Sequence, residues 1–365
     1  MPTAIPWDAA RVPLSSRAVT NAELCFGTGI WQGLTSHRLI QLARLIEDED
    51  FHQLWYANHK LYRDLWVGLA VAAQATRRIQ LGTFVAEPYS QHPAQIAAAV
   101  ATIDELSGGR AMLGLGVGGA NFKELGIQIR RPAQALKESV QIARGLLRGE
   151  RLDFQGEVFG ARDVWLHLPA RADLRIVVAS RGDRVLRVAG EVADGAMVAT
   201  YATPEGLRHG REMVRQGQLR AGRAESDVEL LTRVDVAIDD DPRAARAAVR
   251  PMIAAMVMAS YPDTAFLEHA GLQITPELAT MAARKNEAQA FESGHLVPDE
   301  FVRQFAWVGT PAQVADQVAA VVDAGFRNIV FLPQPMDHDP EPTLRRFARE
   351  VIPRVRALVG AAAVS

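Results

Sequence analysis

The chain has 365 residues, 48% hydrophobic and 22% charged, and its 40 basic and 42 acidic side chains leave a net charge of -2. That balance excludes the basic field of a nucleic-acid binder or a charged membrane face, and no apolar run is long enough to cross a bilayer. Cys25 is the only cysteine, so neither an intrachain disulfide nor a cysteine metal cluster is available, and no metal site is expected.

Residues 1–20, MPTAIPWDAARVPLSSRAVT, lack the apolar core of a secretion signal and read as a surface arm, so a cytoplasmic location is expected. From residue 21 onward, strand-like and helix-like segments alternate. ELCFGTGIW precedes SHRLIQLARLIEDED, FHQLWYAN precedes DLWVGLAVAAQATRR, and IQLGTFVA precedes PAQIAAAVATIDEL. RAMLGLGV leads to RPAQALKESVQIARGLL, LRIVVAS to RVLRVAGEVA, and GAMVAT to PEGLRHGREMVRQGQLRAG. VELLTRVDVAI precedes a long helical region, and NIVFLP follows the helix PAQVADQVAAVVDAG. The strands are short, apolar and poorly alternating, as buried parallel strands are. Eight strand–helix units predict a (β/α)8 TIM barrel as a single domain over 21–365, with function at the C-terminal ends of the strands. Two insertions interrupt the pattern: 152–169, a hairpin-like excursion after the fourth helix, and 242–308, a mostly helical stretch before the eighth strand. The second suits a lid, a subunit contact or an extra packing layer.

Gly114, Gly116 and Gly119 fit the spacing G-x-G-x-x-G. A dinucleotide turn needs a strand before the glycines, a helix after them and an acid closing the next strand. Here the preceding element is a helix ended by Gly108 and Gly109, and the glycines lie within RAMLGLGV itself. The next acid beyond the strand's glycines that falls near the required distance, Glu138, sits in a helical pattern. The match is therefore accidental, and glycine within a strand asks for close approach by a backbone or a ligand.

LGTFVAEPYSQHPAQIAAAVATIDELSGGRAMLGLGVGG resembles the luciferase-like flavin and deazaflavin oxidoreductases: a strand end, His-Pro, a helix, Ser-Gly-Gly-Arg and a glycine-rich fourth strand. LWYANHKLYRD, VVASRGDRVLRVAGEVADGAMV and LVPDEFVRQFAWVGTPAQVADQVAAVVDAGFRNIVFLP extend the likeness over most of the chain. The last of these is similar to the closing segment of the methylene-tetrahydromethanopterin reductase branch.

The resemblance implies a site. His59, after the second strand, matches the histidine that takes the substrate's proton in deazaflavin-dependent dehydrogenases, a role suited to a side chain titrating near neutrality. Asn58 stands where a polar residue contacts the coenzyme ring. Phe84, Val85 and Glu87 fall at the ring-supporting bulge, where a cis peptide is expected between Phe84 and Val85. Gly116, Gly118 and Gly119 line the flavin site. Ala179, Ser180, Arg181 and Gly182 match a phosphate-binding turn feeding a helix. Asp64 and His92 are read as structural, as is the Ser107–Arg110 turn at the opposite face. Trp31 suits either stacking on substrate or packing. Two family acids are missing: sugar-phosphate dehydrogenases carry Glu where this chain has Gly119, and pterin reductases carry Glu where it reads Thr28-Gly29-Ile30.

The leading expectation is hydride transfer between coenzyme F420 and a small organic substrate in a homodimer. An FMN-dependent monooxygenase is the alternative, since one barrel serves both. The absent acids keep open a non-catalytic homologue that binds a ligand or partner.

Overall fold

The computed structural model describes residues 24–118 and 121–362; the arm at 1–20 and Gly119 lie outside them. Eight parallel strands close into a barrel: β1 (Cys25–Ile30), β2 (Gln53–Ala57), β3 (Gln80–Phe84), β4 (Ala111–Leu115), β7 (Ile176–Ser180), β8 (Gly195–Ala199), β9 (Glu229–Ile238) and β11 (Asn328–Pro333). Pairing of β8 with β9 completes the circuit. Between β4 and β7 the antiparallel pair β5 (Leu152–Gln155) and β6 (Gly160–Val164) forms a hairpin within 152–169. One strand departs from expectation. β10 (Ala306–Gly309) lies in the stretch expected to be helical and pairs in parallel with the C-terminal half of β9. β9 is long enough to pair with β8 through Glu229–Arg233 and with β10 through Asp235–Ile238. Its short run AWVG follows directly on the helix Asp299–Phe305, whose period masks it.

Strand-to-helix switches are written in the sequence. Side chains of Thr35, Asp64, His92, Thr203 and Asp241 accept N–H bonds at the starts of α1 (Ser36–Asp48), α2 (Leu65–Ala75), α3 (Pro93–Ser107), α6 (Pro204–Ala221) and α7 (Pro242–Ser260). Proline stands in the first turn of α3, α6 and α7, and of α4 (Pro132–Leu147), where its missing N–H costs nothing. α5 (Asp183–Val192) starts without a side-chain cap. On the face opposite the mouth, Arg110 donates to Thr76 Oγ1 and to the carbonyls of Ala73, Thr76, Ile79 and Ser107, so the Ser-Gly-Gly-Arg turn is structural. Buried Glu138 of α4 anchors the hairpin by accepting N–H bonds from Glu157, Val158 and Phe159.

The barrel is filled. Trp55, Met112, Val177, Met197, Leu231 and Val330 form an interior cluster, with Phe84 and Ala179 packed on it. Gly82 and Gly114 are required by close approach: a Cβ at Gly82 would overlap the Trp55 ring, and one at Gly114 would strike the Thr83 carbonyl.

The β3–β4 ladder carries the feature that shapes the mouth. Gly82 pairs with Met112 and Ala86 with Leu115, so 82 to 86 on one strand spans 112 to 115 on the other, leaving one extra residue. That is a β-bulge. Within it the Thr83 hydroxyl takes over the ladder, donating to Gly114 O at 2.7 Å and accepting from Gly114 N at 2.8 Å. The Phe84–Val85 peptide in the bulge is cis, as expected. Thr83→Val keeps the shape but leaves the Gly114 N–H unpaired. It should lower unfolding stability in urea by about 1–3 kcal/mol, while Thr83→Ser should retain most of it. Equal midpoints for Val and wild type would show that the hydroxyl does not clip the bulge.

Candidate active site

The exit of β2 delivers Asn58, His59 and Lys60 to the C-terminal face. The His59 backbone is held at both ends: its N–H donates to Gln32 Oε1, and its carbonyl accepts from Asn121 Nδ2 at 2.6 Å. Gln32 is fully buried, and its Nε2 donates to the Arg63 carbonyl, closing the 59–63 loop onto the end of β1. The imidazole packs edge-on against Trp31, ring centres 3.9 Å apart, with Tyr62 beyond. Trp31 is thus committed to the histidine. His59 Nδ1 is buried and makes no hydrogen bond among the described residues. Burial, then repulsion from Lys60 and Arg233, lowers the ring's pKa to about 3. The imidazole is neutral, with a polar atom awaiting a partner.

Next to it stands the bulge. Asn58 Nδ2 donates to the Val85 carbonyl at 3.3 Å, linking the β2 exit to the bulge. Gly116 is needed because a Cβ there would lie 2.6 Å from Val85 Cγ2, and Gly118 has a positive φ of 73°. Protein atoms therefore account for the tight approach at Gly116. Glu87 follows the bulge as a hydrogen-bond acceptor. It is buried, accepts from the N–H groups of Tyr89 (2.7 Å) and Ser90 (3.1 Å) and from the Ser90 hydroxyl, and faces Lys60 Nζ at 3.6 Å. Its carboxylate holds the 87–90 turn. Lys60 also lies 3.7 Å from the centre of the Phe122 ring.

Across the mouth, the β7 exit divides. Ser180 Oγ accepts from Gly182 N at 2.9 Å, a tight turn into α5. Ala179 packs on the barrel interior, and Arg181 leaves the turn: its Nε donates to Ser260 Oγ of α7 at 2.7 Å. The turn expected to hold phosphate presents its backbone and Ser180, while the Arg181 side chain is tied to α7 through Nε. Asp183, in the first turn of α5, is 2.9 Å from His209 Nε2 and 3.8 Å from His269 Nδ1, with the two imidazoles stacked at 3.8 Å. These three ligating atoms lie within 4.8 Å of one another, a grouping that positions 183, 209 and 269 conceal in the sequence.

With this geometry in hand, comparison with known proteins is decisive. Residues 23–328 match the sequence model of the family described as luciferase-like monooxygenase. The chain belongs to that family. It is 29% identical to a 5,10-methylenetetrahydromethanopterin reductase of Archaeoglobus fulgidus, over 91% of this chain and 99% of the relative. It is 30% identical to an F420-dependent glucose-6-phosphate dehydrogenase of Rhodococcus erythropolis, over 88% and 94%. The solved coenzyme F420-dependent tetrahydromethanopterin reductase of Methanopyrus kandleri matches with a TM-score of 0.80 at 25% identity, covering 92% of this chain and 100% of that one.

This luciferase-like barrel contains site residues that the sequence did not announce. Gln32 is one, and Arg233, Asp235 and Gln334 are others. Arg233 Nη1 donates to Asp235 Oδ2 at 2.6 Å, Gln334 Nε2 donates to Asp235 Oδ1 at 2.8 Å, and the Arg233 guanidinium lies 6.0 Å from the centre of the Phe84 ring. For Arg233 and Asp235, inward parity on β9 is the one sequence signal, legible once the barrel is known. The His59 environment makes a direct expectation. Its folded pKa lies below the ordinary value of 6.5, so the unfolded chain takes up a proton that the folded chain refuses as pH falls from about 6.5 towards 3, and stability falls across that window. The His59 ring signal in proton NMR should show no titration between pH 8 and 5. A midpoint near 6.5 would mean that the ring is solvated.

Proposed function

We propose that the protein is an F420-dependent oxidoreductase that transfers a hydride between the deazaflavin and a small organic substrate, with His59 as the proton acceptor. The orphaned Nδ1 of a neutral, backbone-clamped imidazole at the C-terminal mouth carries this reading, and the F420-dependent relatives support it. The ring end suits a flat coenzyme: the β3 bulge with Val85, Gly118 beside it and Asn58 form one wall, and Ser180 with Gly182 begins a helix suited to its phosphate. When bound, the deazaflavin supplies the carbon that exchanges the hydride. In the oxidising direction His59 Nδ1 would take the proton of the substrate's hydroxyl while the C–H bond on the same carbon gives up its hydride, so that the two bonds broken are matched by the C=O formed. Reduction reverses each transfer. Gln32 and Asn121 keep the acceptor aligned, which matters because catalytic proton transfer depends on hydrogen-bond reach.

His59→Ala should slow single-turnover hydride transfer by about 10²-fold or more with little change in coenzyme affinity; equal turnover would remove His59 from the reaction. Separate titrations with F420 and FMN decide the cofactor. F420 binding alone supports this reading. FMN binding with oxygen consumption favours the monooxygenase that the family's description keeps in view, and binding of neither favours a non-catalytic homologue.

A homodimer accords with α2, LWVGLAVAAQA, which is apolar but for Gln74 yet leaves Val67 61% exposed, near Leu106 at 42%. Val67→Asp with Leu106→Asp should shift the mass measured by light scattering from dimer to monomer. An unchanged dimer mass would place the contact on another face.

A further inference from the structure

Among the described residues, Arg181 and Arg233 at the mouth have one buried carboxylate partner between them, Asp235, which pairs with Arg233 alone. Arg181 continues the inward face of β7 after Val177 and Ala179. Its side chain is half-buried, 5.6 Å from the centre of the Phe266 ring, and among the described residues it makes one hydrogen bond, to Ser260, and no ion pair. Burial first, and repulsion from Arg233 second, press its pKa down to about 10. Arg233 lies on the inward row of β9 with Leu231 and Asp235. Asp235 is the one buried acid that pairs with either arginine, and Gln334 already takes its second oxygen. Asp263 acts on Arg181 from a distance but is exposed, with its own oxygen accepting from Ala265 N.

A half-buried guanidinium without an anion keeps its planar fork free to match a carboxylate or phosphate in two-point contact. Arg233 is also near enough to repel a proton from His59. Arg233, 6.0 Å from the Phe84 ring, and Arg181 thus continue the inward rows of β9 and β7 towards the same mouth that His59 enters from β2. We propose that Arg181 and Arg233 form an anion subsite that takes a carboxylate or phosphate of the substrate, while His59 meets its hydroxyl or carbonyl end. The substrate is then a hydroxy or keto compound bearing an anionic group. This deepens the hydride-transfer reading and rests on it. The chemistry of the subsite would suit the coenzyme's own phosphate equally, and the test separates the two sources.

The test is calorimetric titration of inorganic phosphate into the purified protein, with and without saturating F420. Phosphate should bind in both states. Arg181→Gln should weaken it at least tenfold, and Arg181→Lys, which keeps the charge but loses the fork, should fall between. The lysine variant also guards against a folding defect in Arg181→Gln. Arg233→Lys should weaken it as well while still pairing with Asp235. Displacement of phosphate by F420 would overturn the proposal and assign the pair to the coenzyme. An unchanged phosphate affinity in Arg181→Gln, or no phosphate binding by the wild type, would also overturn it. If the wild type binds phosphate in an Arg181-dependent manner but does not bind F420, the hydride-transfer reading fails and the anion subsite stands.

Discussion

The Trp55 indole on the barrel axis is the contact on which the rest is built. It is fully buried, and its Nε1 donates to Gln53 Oε1 at 2.9 Å, so its one polar atom is satisfied in the interior. A ring of that size fits between strands only because the neighbouring positions give up their side chains. Gly82 of β3 and Gly114 of β4 both face it. The absence of a side chain at Gly114 also lets the Thr83 carbonyl and hydroxyl approach, so the same glycine that admits the indole admits the bulge. Phe84 then rests over the indole, ring centres 6.4 Å apart, and seals the column. A barrel packed to that height has no pore, and whatever chemistry it performs is confined to the rim above Phe84.

Much of this was legible in the sequence. Eight apolar runs at helix-length spacing predicted the barrel, because parallel strands buried on both faces leave continuous apolar stretches. The caps at Asp64 and His92 are local chemistry, written within a few residues of the helices they start. His59 was legible through its place after the second strand. The glycines of the fourth strand were legible as a demand for close approach, but not the party approaching, which at Gly116 is Val85. Gln32 and Gln334 were silent, since each acts on a residue far away in the chain, His59 and Asp235. Glu87 and Arg181 sat at the right positions, but side-chain direction decided their partners, and direction depends on a turn geometry that residue identity does not record. β10 was hidden because a four-residue strand directly after a helix has no period of its own.

The electrostatics of the rim couple its two halves. His59 is flanked by Lys60 and Arg233, and both charges disfavour a second positive charge on the ring. Lys60 is partly answered by Glu87 at 3.6 Å, and Arg233 by Asp235, but Arg181 has no such partner among the described residues. In the free protein burial first, and these charges second, keep the imidazole unprotonated and make it a weak base. An anion arriving beside Arg233 and Arg181 cancels part of the field that depresses the ring, because opposite charges in a poorly screened site act over several ångströms. On the proposed reading, the basicity of Nδ1 would rise with an anionic substrate in place, rather than standing ready in its absence. A histidine held neutral by burial and nearby cations, and made more basic by the charge of a bound anion, would then link recognition at one end of the rim to proton transfer at the other without any movement of the barrel.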